Sequence, residues 1–234
     1  MKIKFFALVF SLCVINLFSC AGQKKIVFSP VPKNNNIETG KNKNNINPDN
    51  IIETKHGTSV RNLPGWLSAY INGGIEEVER MSAFYGKYVF IGSSEGINFT
   101  AMNIWADNFS AVKDFTILAA ERIERRMVSA AYLYPDYEYG LFFETMVKKA
   151  YSAIYTGAVK EDTYWIKMKV RQENDDIETA YTEIYNFFVL ISIDKMAMQL
   201  KISDLMTESV SAVTPTGDQR DSINRMRQNF YERF

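Results

Sequence analysis

The stretch "TYWIKMKVR", residues 163–171, decides the fold class because apolar and mostly charged side chains alternate along it. A period of two residues is typical of a strand with one face against a core. After the polar residues "QENDDIE" comes "AYTEIYNFFVLISI", residues 180–193, which is apolar on both faces towards its end. We interpret the two runs as an antiparallel hairpin in which the second strand is the more central.

The segments around this hairpin alternate between strand and helix patterns. Upstream, "KYVFIGS", residues 87–93, predicts a strand, and "GSSEGIN" predicts a turn. Apolar residues at helical spacing follow, with Asn98 and Asp114 as the expected N-caps of two helices. The same spacing returns after Asp194, which is a third expected N-cap. The sequence therefore predicts an α+β domain: a small antiparallel or mixed sheet with helices packed on one face, preceded by a disordered tether.

The N-terminus is typical of an exported protein. Two lysines precede an almost wholly apolar run, residues 5–18, which has the length of a secretory signal and is short for a membrane span. The sequence "LFSC", ending at Cys20, resembles the lipobox of bacterial lipoproteins, although Phe18 replaces the usual small residue. The resemblance implies cleavage before Cys20 and acylation of its thiol. The alternative is an ordinary signal peptide with an incidental cysteine.

The residues after Cys20 have the composition of a tether. The run "PVPKNNNIETGKNKNNINPDN" is rich in Asn, Lys and Pro and nearly empty of large apolar side chains. Such a segment buries too little surface to offset its ordering entropy. We therefore predict a signal peptide over residues 1–19, a lipidated cysteine and flexible tether over 20–62, and a globular domain over 63–234. His56 falls in the tether as a solvated residue.

Composition limits the chemistry of the predicted domain. The chain has 27 basic and 27 acidic residues, so no polycationic field indicates a nucleic-acid partner. The only cysteines are Cys13 and Cys20, and the only histidine is His56. The domain therefore lacks the residues for Ser-His-Asp or Cys-His catalysis and for a His/Cys zinc site. "GSSEG", residues 92–96, lacks the lysine of a phosphate-binding loop. We predict no catalytic residue, no metal and no cofactor.

The stretch "AAYLYPDYEYG", residues 130–140, is the candidate ligand-binding segment, and we refer to it as the tyrosine corner. Its four tyrosines surround a proline, with carboxylates between them, and aromatic faces beside carboxylates suit stacking on sugar rings. Tyr132 and Tyr137 fall off the apolar stripes of their helices, so we predict that they are partly exposed and bind a ligand. Tyr134 and Tyr139 continue those stripes and are expected to be buried. Alternatively, all four simply pack two helices together.

Two upstream segments, "PGWLSAYINGG" and "GKYVFIGSSEGINFTAMNIWADNF", resemble a small outer-membrane lipoprotein family, the twenty-kilodalton Lpp type, and related flagellum-associated lipoproteins. The shared features are a start with Pro64 and Trp66, a short strand ending at Gly92, and a late apolar strand, "NFFVLISIDK". The Asn/Lys-rich tether also looks like that of spirochaetal lipoproteins. The resemblance brings no catalytic residues. It implies a location in the cell envelope, anchored by lipid to the outer membrane and facing the periplasm.

Two functions stay open on the sequence alone. The first is a lipid-anchored cell-envelope protein that acts as a binding or scaffold module. Its partners would be the membrane, through the N-terminal lipid, and an envelope protein or peptidoglycan. The alternative is a lipid-anchored hydrolase of cell-wall glycan, which needs two carboxylates at a defined separation. The domain offers Glu95, Asp107, Asp114 and Glu144 as candidates.

Overall fold

The computed structural model describes residues 46–58, 63–132, 136–171 and 181–234. These residues form four strands and six α-helices. The strands are β1 (Ile51–Thr54), β2 (Lys87–Gly96), β3 (Val159–Arg171) and β4 (Tyr181–Asp194), and they form one antiparallel sheet in the order β1-β3-β4-β2. The predicted α+β class is therefore confirmed. The helices are α1 (Gly65–Glu79), α2 (Phe99–Asn108), α3 (Lys113–Ala131), α4 (Asp136–Ser152), α5 (Lys195–Val213) and α6 (Gly217–Arg233).

The predicted hairpin is the centre of the sheet. Strands β3 and β4 are both internal, because β3 pairs with β1 and β4, and β4 pairs with β3 and β2. Strand β4 is the more fully paired of the two, since the ten-residue β2 covers its second edge and the four-residue β1 covers that of β3. Its side chains alternate between two cores, with Phe187 and Val189 in one and Phe188 and Leu190 in the other. A strand that is apolar at successive positions needs cover on both faces. Helices α2 to α6 supply one cover, as expected, and α1 supplies the other, which the prediction of helices on one face did not include.

The sheet begins before the predicted domain boundary. Strand β1 pairs with β3, and Ile51 is only 8% exposed. The boundary at residue 63 is therefore wrong, because a strand of four residues adds too few apolar side chains to change the composition of its surroundings. His56, expected as a solvated tether residue, is exposed, but its ring centroid lies 5.3 Å from that of Tyr164. The predicted signal peptide, Cys20 and the predicted tether up to residue 45 lie outside the described residues.

Strand β2 is longer than predicted, because "GSSEG" continues it to Gly96 instead of forming a turn. The glycines have a packing role. A Cβ atom on Gly92 would lie 2.5 Å from Cζ of Phe109, and one on Gly96 would lie 3.2 Å from Sδ of Met102. Glycine in a strand often marks such a close approach. The two glycines therefore let α2 and the residue that ends it lie directly on β2.

Two of the three predicted helix caps are confirmed. The side chains of Asn98 and Asp194 each accept a hydrogen bond from the backbone N–H three residues on, at 3.0 and 2.9 Å. The prediction for Asp114 is wrong, since this residue lies inside the first turn of α3. The hydroxyl of Ser110 caps that turn by accepting from the N–H of Lys113 at 3.0 Å. The Asp114 carboxylate accepts in turn from the Ser110 N–H, at 2.7 Å.

Candidate functional site

The structure describes the tyrosine corner in part. Tyr132 is 71% exposed, as expected for a ligand-binding residue. Tyr139, expected to be buried, is half-buried against the main core. Tyr137 lies in α4, but its side chain is outside the described part of the chain, as is the whole of Tyr134. The corner thus shows one exposed ring, and ligand binding by Tyr132 and Tyr137 stays a prediction.

A second aromatic group lies on the face of the sheet that α2 partly covers. It consists of Phe99 at the start of α2, Trp165 of β3 and Tyr185 of β4. The Phe99 ring centroid lies 5.2 Å from each of the other two, which are 5.9 Å apart. Phe99 is 38% exposed, and Trp165 and Tyr185 are half-buried. We refer to these three residues as the aromatic shelf.

Strand periodicity and register build this shelf. The period of two puts Trp165 and Lys167 on the same face of β3. The register sets Trp165 opposite Phe187 and Lys167 opposite Tyr185, so the rings of neighbouring strands come within contact distance. Asn98 starts α2 at the point where Phe99 lies against Trp165 and Tyr185. Sequence reasoning missed the shelf because it treated this side of β3 as a plain solvent face, although a tryptophan among lysines was a visible signal.

A charged pair forms the rim of the shelf. Nζ of Lys167 lies 2.5 Å from Oε2 of Glu183 and 5.5 Å from the Tyr185 ring centroid. The hydrogen bond between them raises the pKa of the Lys167 ammonium and lowers the pKa of the Glu183 carboxyl. Both groups are therefore charged at neutral pH. The Glu183 side chain is 49% exposed, against 19% for Lys167, so the carboxylate is the more accessible of the two.

A serine, a lysine and a carboxylate also meet on the opposite face of the sheet. The Ser192 hydroxyl donates to the Glu161 carboxylate, and Nζ of Lys87 lies 2.8 Å from Oε1 of Glu161. These two hydrogen bonds lower the pKa of Glu161, which makes it a poor general base at neutral pH. Ser192 is 1% exposed, so no substrate reaches its hydroxyl in this conformation. The group ties β2, β3 and β4 together and is not a nucleophilic site.

Three of the four carboxylates considered for a hydrolase are bound locally, and the fourth, Glu95, is exposed on β2. Asp107 accepts from the Asn103 amide at 2.8 Å, and Glu144 pairs with Lys148 at 2.5 Å. The Asp114 carboxylate accepts a hydrogen bond from the Ser110 N–H. Among the described residues, His, Cys, Asp and Glu form no group of three or more that could hold a metal ion.

A surface hollow of about 390 Å³ lies between α5 and α6. Met196 and Leu200 line it on α5 and are 70% and 61% exposed, while Tyr231 lines it on α6. Apolar side chains exposed in this way are common on protein surfaces. Its polar lining consists of Gln199, Ser203 and Tyr231, and the Gln199 amide already donates to the Tyr88 hydroxyl at 3.0 Å.

Comparison with family models, curated proteins and solved structures found no match to this chain. The resemblance to the Lpp-type lipoproteins and to spirochaetal lipoproteins thus stays a prediction. In the part of the chain that the structure describes, every helix is too short or too polar to cross a membrane.

Proposed function

We propose that this chain is a lipid-anchored cell-envelope protein that acts as a binding or scaffold module, with the aromatic shelf as its binding face. The observation that supports the proposal is the shelf itself. Phe99, Trp165 and Tyr185 contact one another and still remain partly exposed, beside a charged pair. Tyrosine and tryptophan are enriched at binding surfaces, because each has a large apolar ring and a polar group that can meet water.

The anchor in this proposal is Cys20, at the end of the lipobox-like sequence. Lipidation there would attach the chain to the envelope, with the outer membrane as the proposed site and the periplasm as the compartment that the domain faces. Two or more acyl chains hold a protein firmly, because each buried methylene contributes about 0.8 kcal/mol. The proposed partner of the shelf is then an envelope component within reach, either peptidoglycan or an envelope protein.

The alternative, a hydrolase of cell-wall glycan, gains no support from the described residues. Ser192 is buried in the sheet, and Asp107, Asp114 and Glu144 are bound by neighbouring groups of their own segments. Of the four candidate carboxylates this leaves Glu95, whereas the reaction needs two at a defined separation. We therefore propose binding without turnover.

Photocrosslinking in intact cells tests the proposal. A photoreactive phenylalanine analogue at Phe99 places the reactive group on the shelf. The same analogue at Tyr151, which is 42% exposed on α4, is the matched control. We expect an adduct with an envelope component from position 99 and none of comparable yield from position 151. Equal yields from both positions, or no adduct from position 99, would contradict the assignment of the shelf as the binding face.

A further inference from the structure

We infer that the ligand of the aromatic shelf is a glycan: one sugar ring lies on the exposed parts of Trp165 and Tyr185, and the Lys167–Glu183 pair holds one of its hydroxyl groups. This inference rests on the proposed function, because it names the ligand class of the same face. It is carried by three properties of the shelf: the size of the exposed surface, the bracing of its rings and the chemistry of its rim.

The exposed surface is small. An aromatic side chain presents about 150–250 Å² in total, so three rings that are at most 38% exposed offer roughly 200 Å² between them. A stable protein interface buries about 800 Å² on each partner. The shelf therefore falls well short of a protein docking face by itself, whereas its area matches one or two sugar rings.

The Trp165 ring is packed against two neighbouring rings. Phe187, which is 1% exposed, lies 6.3 Å from the Trp165 ring at an interplanar angle of 28°. Phe99 meets the same ring edge-on, at 83°. A platform fixed in this way loses little freedom when a ligand binds, which lowers the entropic cost. Its negatively polarised ring face suits the C–H groups on the apolar face of a sugar.

The rim supplies both a hydrogen-bond donor and a hydrogen-bond acceptor for a hydroxyl group. A hydroxyl donates one hydrogen bond and accepts others, while an ammonium only donates and a carboxylate only accepts. Lys167 and Glu183 place one of each side by side, at 2.5 Å. An acyl chain or an apolar peptide side chain on the shelf would instead desolvate this pair without replacing its hydrogen bonds with water. The rim therefore favours a polyhydroxylated ligand.

Titration of the full chain in detergent with a soluble N-acetylglucosamine tetramer tests the inference. We expect a saturable change in tryptophan emission that is lost in Trp165→Phe and kept in Trp105→Phe, which removes the half-buried tryptophan of α2. The third tryptophan, Trp66, is 7% exposed and lies on the other face of the sheet. Tyr185→Ala should raise the Kd about five- to ten-fold through lost stacking. Glu183→Gln, which keeps the side-chain shape, should raise it about ten-fold through loss of a charge-assisted hydrogen bond.

Tyr85→Ala is the matched control, since it removes a ring that is 90% exposed and belongs to neither the shelf nor the tyrosine corner, and it should leave the Kd unchanged. Tyr132→Ala tests the tyrosine corner as the competing glycan site. Thermal melting separates loss of binding from loss of folding, and Glu183→Gln keeps the test valid if Tyr185→Ala unfolds. Absence of saturable binding to the tetramer, or a Kd that responds to Tyr132→Ala and not to the shelf variants, overturns the glycan assignment. The crosslink from position 99 would still stand in that case. Loss of the crosslink as well would overturn the proposed function.

Discussion

Nη1 of Arg122 lies 2.8 Å from Oε1 of Glu79, and the two side chains are only 11% and 13% exposed. The same Glu79 oxygen accepts from the N–H of Val89 at 2.8 Å, and Arg122 donates to the Val89 carbonyl at 3.2 Å. Strand β2 is an edge of the sheet, so the pair binds both backbone groups of Val89 as a neighbouring strand would. It blocks this point of the edge against pairing with another chain.

Aromatic rings surround the same guanidinium. Its central carbon lies 4.8 Å from the ring centroid of Tyr88, 5.2 Å from that of Phe90 and 5.1 Å from that of Phe234. Arg122 also donates to the backbone oxygen of Phe234, at 3.2 Å. Arginine suits this position because its planar, weakly hydrated cation both stacks on rings and donates several hydrogen bonds. One side chain of α3 thus joins α1, β2 and the last residue of the chain.

Arg122→Met should lower the free energy of unfolding by about 3–5 kcal/mol, because it leaves the Glu79 carboxylate buried and unpaired. Urea unfolding at neutral pH measures the loss. Arg125→Met is the matched control on the same helix. Its partner Glu121 is 3.8 Å away, and both side chains are exposed, so its loss should stay below about 1 kcal/mol. Similar losses in the two variants would show that Arg122 has no special role.

Gly92→Ala should destabilise the domain by about 1–3 kcal/mol, because the added Cβ overlaps the Phe109 ring. Thermal melting measures the change, and Gly92→Ala combined with Phe109→Leu should recover part of it. Gly140→Ala on α4 is the control. A Cβ there meets nothing within 4 Å, and alanine is the better helix former by about 1 kcal/mol. If Gly92→Ala left the melting temperature unchanged, α2 would not lie on β2 at this point.

Ile51→Ala tests the corrected start of the domain. If β1 belongs to the sheet, removing this buried side chain should cost about 2–4 kcal/mol in the free energy of unfolding. Ile52→Ala, on the half-buried neighbour in the same strand, is the control and should cost less. If residues 51–54 were part of a tether, neither substitution would change the urea midpoint.

These cases show which features the sequence could predict. The alternation of residues 163–171 and the apolar run of β4 are local patterns, and each is long enough to fix an element and its place in the sheet. Asn98 and Asp194 were also predictable, because a cap needs only its own turn. Asp114 has the same residue type and precedes the same kind of apolar stripe, yet Ser110 takes the cap.

The features that the sequence did not reveal depend on pairing between distant segments. Strand β1 is recognisable only through its register with β3, more than a hundred residues later. Gly92 looks like a turn residue until the Phe109 ring is placed over it. The aromatic shelf needs Phe99, Trp165 and Tyr185, which come from three elements and have no common motif. Register and helix placement bring them together, and neither can be read from a single segment.

Lowering the pH should destabilise the domain through protonation of Glu161. Hydrogen bonds from Lys87 and Ser192 lower the pKa of this carboxyl below its ordinary value of 4.5. A lowered pKa in the folded state means that the contribution is complete above the unfolded value and is lost as the pH falls through the folded one. Urea unfolding between pH 6 and 3 should therefore show that the free energy of unfolding falls with pH, and that it falls less in Glu161→Gln. Ser192→Ala, which removes one of the two donors, should reduce this fall in part. Identical acid profiles in all three proteins would contradict this account.

Cys20→Ala tests the anchor on which the proposed location depends. If the lipobox-like sequence is processed, cells fed labelled palmitate should label the wild-type chain and not this variant, because the thiol is the acylated group. The variant should also move from the membrane fraction to the soluble fraction, since an unlipidated chain loses about 0.8 kcal/mol of membrane binding for each buried methylene. Cys13→Ala, inside the apolar run, is the matched control and should leave both labelling and fractionation unchanged. Equal labelling of wild type and Cys20→Ala would remove the lipid anchor from the proposal.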